Sequence, residues 1–212
     1  RKKIGAQLAI ESPVDADMVV PVPDSGTPAA IGYAQESGLP FELGIIRSHY
    51  VGRTFIQPGD QIRNLGVKLK HNANRAMIDG KRIVLIDDSI VRGTTSLKIV
   101  QMLRDAGAAE VHMRIASPPT RHSCFYGVDT PERSKLLAAN MDVERMREYI
   151  KVDSLAFLSI DGLYRALGED LRLDDAPQYC DACFTGDYPT RLTDFEEAEV
   201  PDQLSMLAER MI

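Results

Sequence analysis

Two adjacent aspartates stand where a short apolar run gives way to a polar turn, in the string RIVLIDDSIVRGTTS at residues 82–96. Asp87 and Asp88 are followed by Gly93, which lets a backbone approach a ligand closely. The N–H groups that open a following helix form an anion site suited to phosphate. Carboxylates repel phosphate, but they accept hydrogen bonds from sugar hydroxyls and help to hold Mg²⁺. The string therefore indicates a phosphorylated sugar as ligand.

The turn differs from two common phosphate-binding patterns, because it lacks both the Walker sequence G-x-x-x-x-G-K-[ST] and the dinucleotide fingerprint G-x-G-x-x-G. Thr94 and Thr95 are good helix-capping residues, and Lys98 in the first helical turn does not repel an anion. The alternative for the two aspartates alone is an ordinary strand end before a capped helix, but the combined string favours a binding site.

A second loop has a similar composition. In VVPVPDSGTP, residues 19–28, an apolar run leads into a small-residue turn and a predicted helix. Asp24, Ser25, Gly26 and Thr27 could supply hydroxyl and backbone groups to another phosphate or to its metal. By itself the loop is also typical of a plain capped turn.

The surrounding pattern predicts alternating strands and helices. Short apolar runs predict buried strands at residues 18–22 and 83–86, with weaker candidates at 111–116 and 155–158. Apolar residues spaced three to four apart predict a helix from Leu97 to Ala106, ended by Gly107. We expect an α/β domain with a mostly parallel sheet, and ligands beyond the carboxyl ends of its strands.

Two stretches fall outside this pattern. Residues 47–75 have no helical or strand period and carry one acid, Asp60, against six cations: Arg47, Arg53, Arg63, Lys68, Lys70 and Arg75. This stretch is either a basic lid over an anionic ligand or a solvated surface loop. Residues 176–212 contain a C-x-x-C and an acidic tail. We expect them to be an appendage wrapped over a main domain of residues 1–175.

Composition restricts the class of protein. The chain has 212 residues, 44% hydrophobic and 26% charged, with a formal net charge of −6, so it is not expected to coat nucleic acid. No apolar stretch approaches the roughly 20 residues that cross a bilayer. Three cysteines are too few for a disulfide scaffold and fit a reducing compartment, so a cytoplasmic protein is expected. Because the sequence begins at Arg1, we expect a processed or excised piece.

Several strings together resemble a known family. VLIDDSIVRGTTS resembles the phosphoribosyl-pyrophosphate (PRPP) signature of the phosphoribosyltransferases. VPVPDSG, RSHYVGRTFIQP, VKLKHNANR and CFYGVDTP resemble one branch, the glutamine PRPP amidotransferases, also called amidophosphoribosyltransferases. The likeness covers nearly the whole chain. It implies a type I phosphoribosyltransferase-like fold, with a mostly parallel sheet flanked by helices, a flexible basic lid and the C-terminal appendage.

The resemblance also implies an activity and its residues. A pentosyltransferase of this family displaces pyrophosphate from carbon 1 of PRPP with ammonia, giving 5-phosphoribosylamine in the first step of purine synthesis. Asp87 and Asp88 would be catalytic, facing the ribose hydroxyls and Mg²⁺, with Ser25 as a further metal ligand. The 5-phosphate would lie on Ser89, Ile90, Val91, Arg92, Gly93, Thr94 and Thr95. In the lid, Arg53 and Lys68 would be catalytic, and Arg63 and Lys70 would bind substrate.

The chain departs from the family in two respects. Complete enzymes carry an N-terminal glutaminase domain that releases ammonia from glutamine, and this sequence lacks it, so we expect activity with free ammonia only. One branch of the family binds a [4Fe–4S] cluster through four cysteines. Cys124, Cys180 and Cys183 match three of these, and the fourth is missing, so a cluster is implied for the complete enzyme while a degraded cluster, a zinc ion or no metal stays open here.

The resemblance further implies feedback inhibition by purine nucleotides and a homo-oligomer, with no nucleic acid or membrane as partner. Two alternative functions stay open from sequence. One is a non-catalytic PRPP-sensing regulator of the same fold, and the other is a nucleobase phosphoribosyltransferase.

Overall fold

The computed structural model of the chain describes residues 1–48 and 71–190. Its strands are β1 Met18–Pro21, β2 Ile45–Arg47, β3 His71–Ala73, β4 Arg82–Asp87, β5 Glu110–Ile115 and β6 Ser154–Phe157. Four of them form a parallel sheet in the order β1-β4-β5-β6. The other two pair antiparallel and form the β2–β3 ribbon. The mostly parallel sheet predicted from the sequence is confirmed.

The helices lie between and after these strands. They are α1 Lys2–Glu11, α2 Thr27–Ser37, α3 Arg75–Ile78, α4 Thr94–Asp105, α5 Leu137–Asn140, α6 Val143–Ile150, α7 Ile160–Leu167 and α8 Ala182–Thr185, with a 3-10 helix at Arg133–Lys135. None of the helices in the described ranges is both long and apolar enough to cross a membrane.

The sheet is covered on both faces, which explains why its strands read as continuous apolar runs. Along β4, Ile83 and Leu85 belong to one core cluster, while Val84 and Ile86 belong to the other. The first cluster includes Leu103 of α4 and residues of α3 and α6. The second consists mainly of residues from α1, α2 and β1 together with Leu158. The helices therefore flank the sheet on both sides.

The chain order places a topological switch point between β1 and β4. After β1 the chain forms α2 and returns to the outer side of β1, where Phe41 makes a parallel bridge with Val19. After β4 it forms α4 and continues in the opposite direction to β5 and β6. In open α/β sheets, ligands bind in the crevice beyond the carboxyl ends of the strands at such a point. The loops that follow β1 and β4 lie at this crevice.

The described part of the C-terminal stretch, residues 176–190, makes hydrogen bonds to the segment after β5 and to α7. The carbonyl oxygen of Cys183 accepts hydrogen bonds from the backbone N–H groups of Arg121 and His122, both at 3.0 Å. The Tyr188 hydroxyl donates to the Ser123 carbonyl at 2.8 Å, and the Tyr164 hydroxyl of α7 donates to the Asp181 carboxylate at 2.9 Å. Residues 181–188 are thereby joined to the segment after β5 and to α7.

Candidate active site

The acidic pair, Asp87 and Asp88, lies at the carboxyl end of β4. Asp87 is only 7% exposed, whereas Asp88 is half-buried. The Asp88 N–H donates to Asp87 Oδ1 at 2.9 Å, and the Ser89 hydroxyl donates to Asp88 Oδ1 at 3.4 Å. Two carboxyl groups thus meet at the switch point, as the sequence predicted.

Burial raises the pKa of Asp87 well above its ordinary value, and the neighbouring negative charge of Asp88 raises this pKa further. The ionised form is therefore disfavoured until a cation or a set of hydroxyl donors approaches. Within the described ranges, no group of three or more histidine, cysteine or acidic side chains could hold a metal ion. A pair of hard oxygen ligands fits Mg²⁺, which usually binds one or two carboxylates and completes its shell with water and substrate phosphates.

The β4 loop, residues 88–93, connects this pair to α4. Gly93 is the residue before α4, in a left-handed conformation with φ +73°, and no side chain caps the helix. The expectation that Thr94 or Thr95 caps α4 is therefore wrong, because the helix begins one residue earlier than that cap would require. Since α4 has 12 residues and uncapped first-turn N–H groups, its N-terminus can bind an anion.

Two residues from distant segments, Leu137 and Tyr149, support the β4 loop. The Leu137 N–H donates to the Val91 carbonyl at 2.8 Å. A Cβ atom at Gly93 would lie 2.6 Å from Leu137 Cδ2 and 3.2 Å from Tyr149 Cε1. Glycine is thus required both by the backbone conformation and by this close contact.

The β1 loop, residues 22–26, lies directly beside the acidic pair. The Val22 N–H donates to the Ile86 carbonyl at 2.8 Å. A Cβ atom at Gly26 would lie 2.4 Å from that same carbonyl oxygen and 3.3 Å from the Asp87 Cα. The backbone of the two loops is therefore in contact, which brings the half-buried Ser25 close to Asp87 in the fold.

Residues 4–123 match the family model described as "Phosphoribosyl transferase domain". The chain belongs to the phosphoribosyltransferase family. An amidophosphoribosyltransferase of Rhizobium etli is 68% identical over 209 residues, which cover 98% of this chain and 42% of that protein. Amidophosphoribosyltransferase 2, chloroplastic, of Arabidopsis thaliana is 58% identical over 92% of this chain and 34% of that protein.

A solved structure is also similar to this phosphoribosyltransferase chain. It is the glutamine PRPP amidotransferase of B. subtilis complexed with ADP and GMP, with a TM-score of 0.79 and 53% identity over 90% of this chain and 42% of that chain. The fold class and the resemblance to amidophosphoribosyltransferases are confirmed. The chain spans less than half the length of these relatives.

The predicted site residues of this phosphoribosyltransferase fall into two groups. Ser25, the acidic pair and Ser89–Thr95 come together at the switch point. The lid cations Arg53, Arg63, Lys68 and Lys70 lie outside the described residues. The two ends of the 47–75 stretch do have regular structure, since Arg47 ends β2 and His71–Ala73 form β3.

The three cysteines lie in the region where the C-terminal stretch packs on the segment after β5. Cys124 and Cys183 are half-buried, Cys180 is exposed, and none of the three forms a disulfide. Burial raises the pKa of Cys183, and the charges of Cys124 and Cys180 raise this pKa further. The three thiols still do not form a set able to hold a metal ion within the described ranges, and they do not by themselves fit a four-ligand cluster.

Sequence reasoning missed three residues around the site: Arg47 as a partner of Asp24, and Leu137 and Tyr149 beside Gly93. In the sequence, Arg47 is one of six cations in residues 47–75, and nothing local connects it with Asp24. Leu137 and Tyr149 lie more than 40 positions after Gly93 in an unremarkable amphipathic stretch, so no local pattern connects them with the loop.

Proposed function

We propose that this chain is the phosphoribosyltransferase half of an amidophosphoribosyltransferase. It transfers ammonia to PRPP, releases pyrophosphate and gives 5-phosphoribosylamine, the first step of purine biosynthesis. The observation that carries this proposal is the meeting of the acidic pair with the uncapped N-terminus of α4 at the switch point. The high identity to proteins named amidophosphoribosyltransferase supports the choice of ammonia as the acceptor.

Each part of PRPP has a matching set of residues. The 5-phosphate is proposed to bind the β4 loop and the start of α4, through Ser89–Thr95 and their backbone N–H groups. The ribose hydroxyls donate hydrogen bonds to Asp87 and Asp88, which accept them as carboxylates. Ser25 and the β1 loop face the pyrophosphate. Arg53 and Lys68 are proposed to act on the leaving group, and Arg63 and Lys70 to bind substrate.

The reaction needs no covalent protein nucleophile. The lone pair of ammonia forms a bond to carbon 1, the bond from carbon 1 to the pyrophosphate oxygen breaks, and its electrons leave with pyrophosphate. The new nitrogen then releases a proton to solvent. Positive charge develops on the ribose ring, where the adjacent carboxylates of Asp87 and Asp88 stabilise it electrostatically. Mg²⁺, held by Ser25, Asp87 and Asp88, would supply positive charge for the leaving group.

The test measures pyrophosphate release by the purified chain with PRPP, Mg²⁺ and ammonium chloride. For this chain assayed alone, we expect release that depends on ammonia and is absent with glutamine, because the family match of residues 4–123 is to the phosphoribosyltransferase domain. Asp87→Asn and Asp88→Asn should each lower kcat/KM at least 100-fold. Release that requires a nucleobase, or tight PRPP binding without release, would contradict the proposal and indicate one of the alternative functions.

For the cysteines, we propose that Cys124, Cys180 and Cys183 are cluster ligands in the complete enzyme and that the fourth ligand lies outside this chain. Iron analysis and the visible spectrum of freshly purified protein test this. A full complement of four irons in this chain alone would contradict the proposal that a ligand is missing.

We also propose regulation by purine nucleotides, supported by the B. subtilis structure complexed with ADP and GMP. A homo-oligomeric state is proposed from the family, and sedimentation of the purified chain tests it.

A further inference from the structure

The β2–β3 ribbon contacts the β1 loop through one cross-strand pair of residues. Arg47 ends β2 and lies opposite His71, the first residue of β3. Arg47 Nη1 forms an ion pair with the Asp24 carboxylate. His71 Nε2 lies 3.4 Å from the carbonyl oxygen of Pro23. The ribbon therefore contacts two successive residues of the loop.

The same loop is held on its other side by β4. The Val22 N–H donates to the Ile86 carbonyl, and Gly26 packs so closely on Ile86 and Asp87 that a Cβ atom has no room. The loop thus lies between the ribbon and the strand that carries the acidic pair. Asp24, which contacts the ribbon, directly precedes Ser25, so a change in the ribbon can alter the position of Ser25.

The Arg47–Asp24 pair is poorly placed to stabilise the fold. Asp24 is 59% exposed, so water screens its attraction to Arg47, and such pairs contribute little to stability. Arg47 is 26% exposed, and its Nε is buried with no hydrogen-bond acceptor among the described residues, which is unfavourable. The ion pair therefore stabilises the fold little, yet it fixes the β1 loop at the candidate site. This combination indicates that the pair serves function rather than stability.

We propose that Arg47, acting through Asp24, is a positioning residue for the pyrophosphate side of the site. This inference rests on the proposed function, in which the β1 loop faces pyrophosphate. Holding Asp24 restricts the backbone at Ser25 and Gly26 before the ligand arrives, so that less conformational entropy is lost on binding. The 5-phosphate and the ribose, which belong to the β4 loop and the acidic pair, do not depend on this contact.

Two ligands separate this role from a general structural one. PRPP and ribose 5-phosphate share the ribose and the 5-phosphate, and only PRPP carries pyrophosphate. By calorimetry with Mg²⁺, we expect Arg47→Met to weaken PRPP binding about tenfold, the equivalent of 1.4 kcal/mol. Ribose 5-phosphate should bind within twofold of wild type. Arg47→Lys should recover part of the PRPP affinity because it keeps the charge.

A double-mutant cycle tests whether Arg47 acts through Asp24. Asp24→Asn should cause the same selective loss of PRPP affinity, and the double variant should be no weaker than either single variant. Arg104→Met is the matched control, because Arg104 forms a comparably exposed ion pair with Asp153 away from the β1 loop. That variant should bind both ligands as wild type does.

The outcomes are distinguishable. If Arg47→Met weakens the binding of both ligands equally, or of neither ligand, the positioning role assigned to Arg47 is wrong. If Arg47→Met weakens PRPP while Asp24→Asn has no effect, Arg47 contacts the ligand directly and the role assigned to Asp24 is wrong. If the wild-type chain binds neither PRPP nor ribose 5-phosphate, the proposed function and this inference both fail. Circular dichroism of each variant shows whether it is folded.

Discussion

At the scale of single residues, Asp87 has a position that is unfavourable for folding but fits the proposed binding site. The residue is 7% exposed, and its carboxyl group accepts a hydrogen bond from the Asp88 N–H and lies near the negative charge of Asp88. Burial and this neighbouring charge raise the pKa of Asp87, so the ligand-free protein resists its ionisation. Sites that bind cations or hydroxyl groups commonly accept such a loss of stability.

The first prediction follows from the sign of this shift. The folded pKa of Asp87 lies above the unfolded one, so as pH rises from about 4 the unfolded state ionises first and wild-type stability falls. Asp87→Asn removes this effect. The ligand-free variant should therefore gain on the order of 1 kcal/mol at pH 7, or roughly 2–4 °C in Tm, and the gain should shrink towards pH 4.

Thermal unfolding between pH 4 and 8 measures this gain. The control is Asp88→Asn, which should give a smaller increase because Asp88 is only half-buried. A ligand-free Asp87→Asn variant that is no more stable than wild type at pH 7 would contradict the prediction.

The second prediction compares two glycines. Gly93 and Gly80 have nearly equal backbone angles, φ +73° and φ +70°, but a Cβ atom would collide with Leu137 at Gly93 and would meet nothing within 4 Å at Gly80. Gly80→Ala should cost about 1 kcal/mol from backbone strain alone. Gly93→Ala should cost more and should weaken ribose 5-phosphate binding at least tenfold, since the β4 loop must move. Urea denaturation and calorimetry measure the two effects, and equal costs with unchanged binding would contradict the role assigned to Gly93.

At the scale of elements, α1 and α2 pack closely against each other through two glycines. A Cβ atom at Gly5 of α1 would lie 1.8 Å from the Ala29 carbonyl oxygen, and one at Gly32 of α2 would lie 1.9 Å from the Lys2 carbonyl oxygen. The two helix backbones therefore touch, and α1 is an integral layer over the sheet face that carries Val19, Val84 and Ile86.

The third prediction concerns whether replacing a glycine in α1 raises or lowers the stability of the chain. Helix propensity alone predicts that Gly5→Ala stabilises the chain by about 0.5–1 kcal/mol. The collision with the Ala29 carbonyl predicts the opposite, a loss of about 1–3 kcal/mol, because both contacting groups are backbone and cannot rotate away. Urea denaturation decides between them. Lys3→Ala, at an exposed position of the same helix, should change stability by less than about 0.5 kcal/mol.

At the scale of the whole molecule, a cluster around Arg172 connects the described part of the C-terminal stretch to α7. Arg172 is 8% exposed and forms ion pairs with Asp181, Asp174 and Asp187. Asp181 is 3% exposed and also accepts a hydrogen bond from the Tyr164 hydroxyl of α7. Cys180 stands one residue before Asp181 and Cys183 two residues after it, so the cluster restrains the segment that carries these two cysteines.

The fourth prediction removes the centre of this cluster. Arg172→Met leaves the buried Asp181 carboxylate without its cation, and a broken buried pair of this kind costs about 3 kcal/mol. Amide exchange of residues 176–190 should become markedly faster, while β4 and β5 keep their protection. Arg165→Met is the control, because Arg165 is 45% exposed in its pair with Glu11 and should have little effect. Unchanged exchange in residues 176–190 would show that other contacts hold the stretch.

Much of this protein could be predicted without the structure. Buried parallel strands appear in the sequence as apolar runs, and helices show apolar residues every three to four positions. These local patterns located β1, β4, β5, β6, α2 and α4. The acidic pair and the β4 loop are contiguous in sequence, so their chemistry could also be predicted from the sequence. The exact start of α4 could not be predicted from the sequence, because Gly93 rather than a threonine precedes the helix.

The tertiary structure alone decided how distant segments meet. The contact of Gly26 with Asp87, the Arg47–Asp24 pair, and the packing of Leu137 and Tyr149 on Gly93 each join residues more than 20 positions apart. Such contacts depend on strand order and on close packing of whole elements, and a local pattern carries no signal for either. The sequence determined which groups could bind a phosphorylated sugar, and the fold determined which residues hold those groups in place.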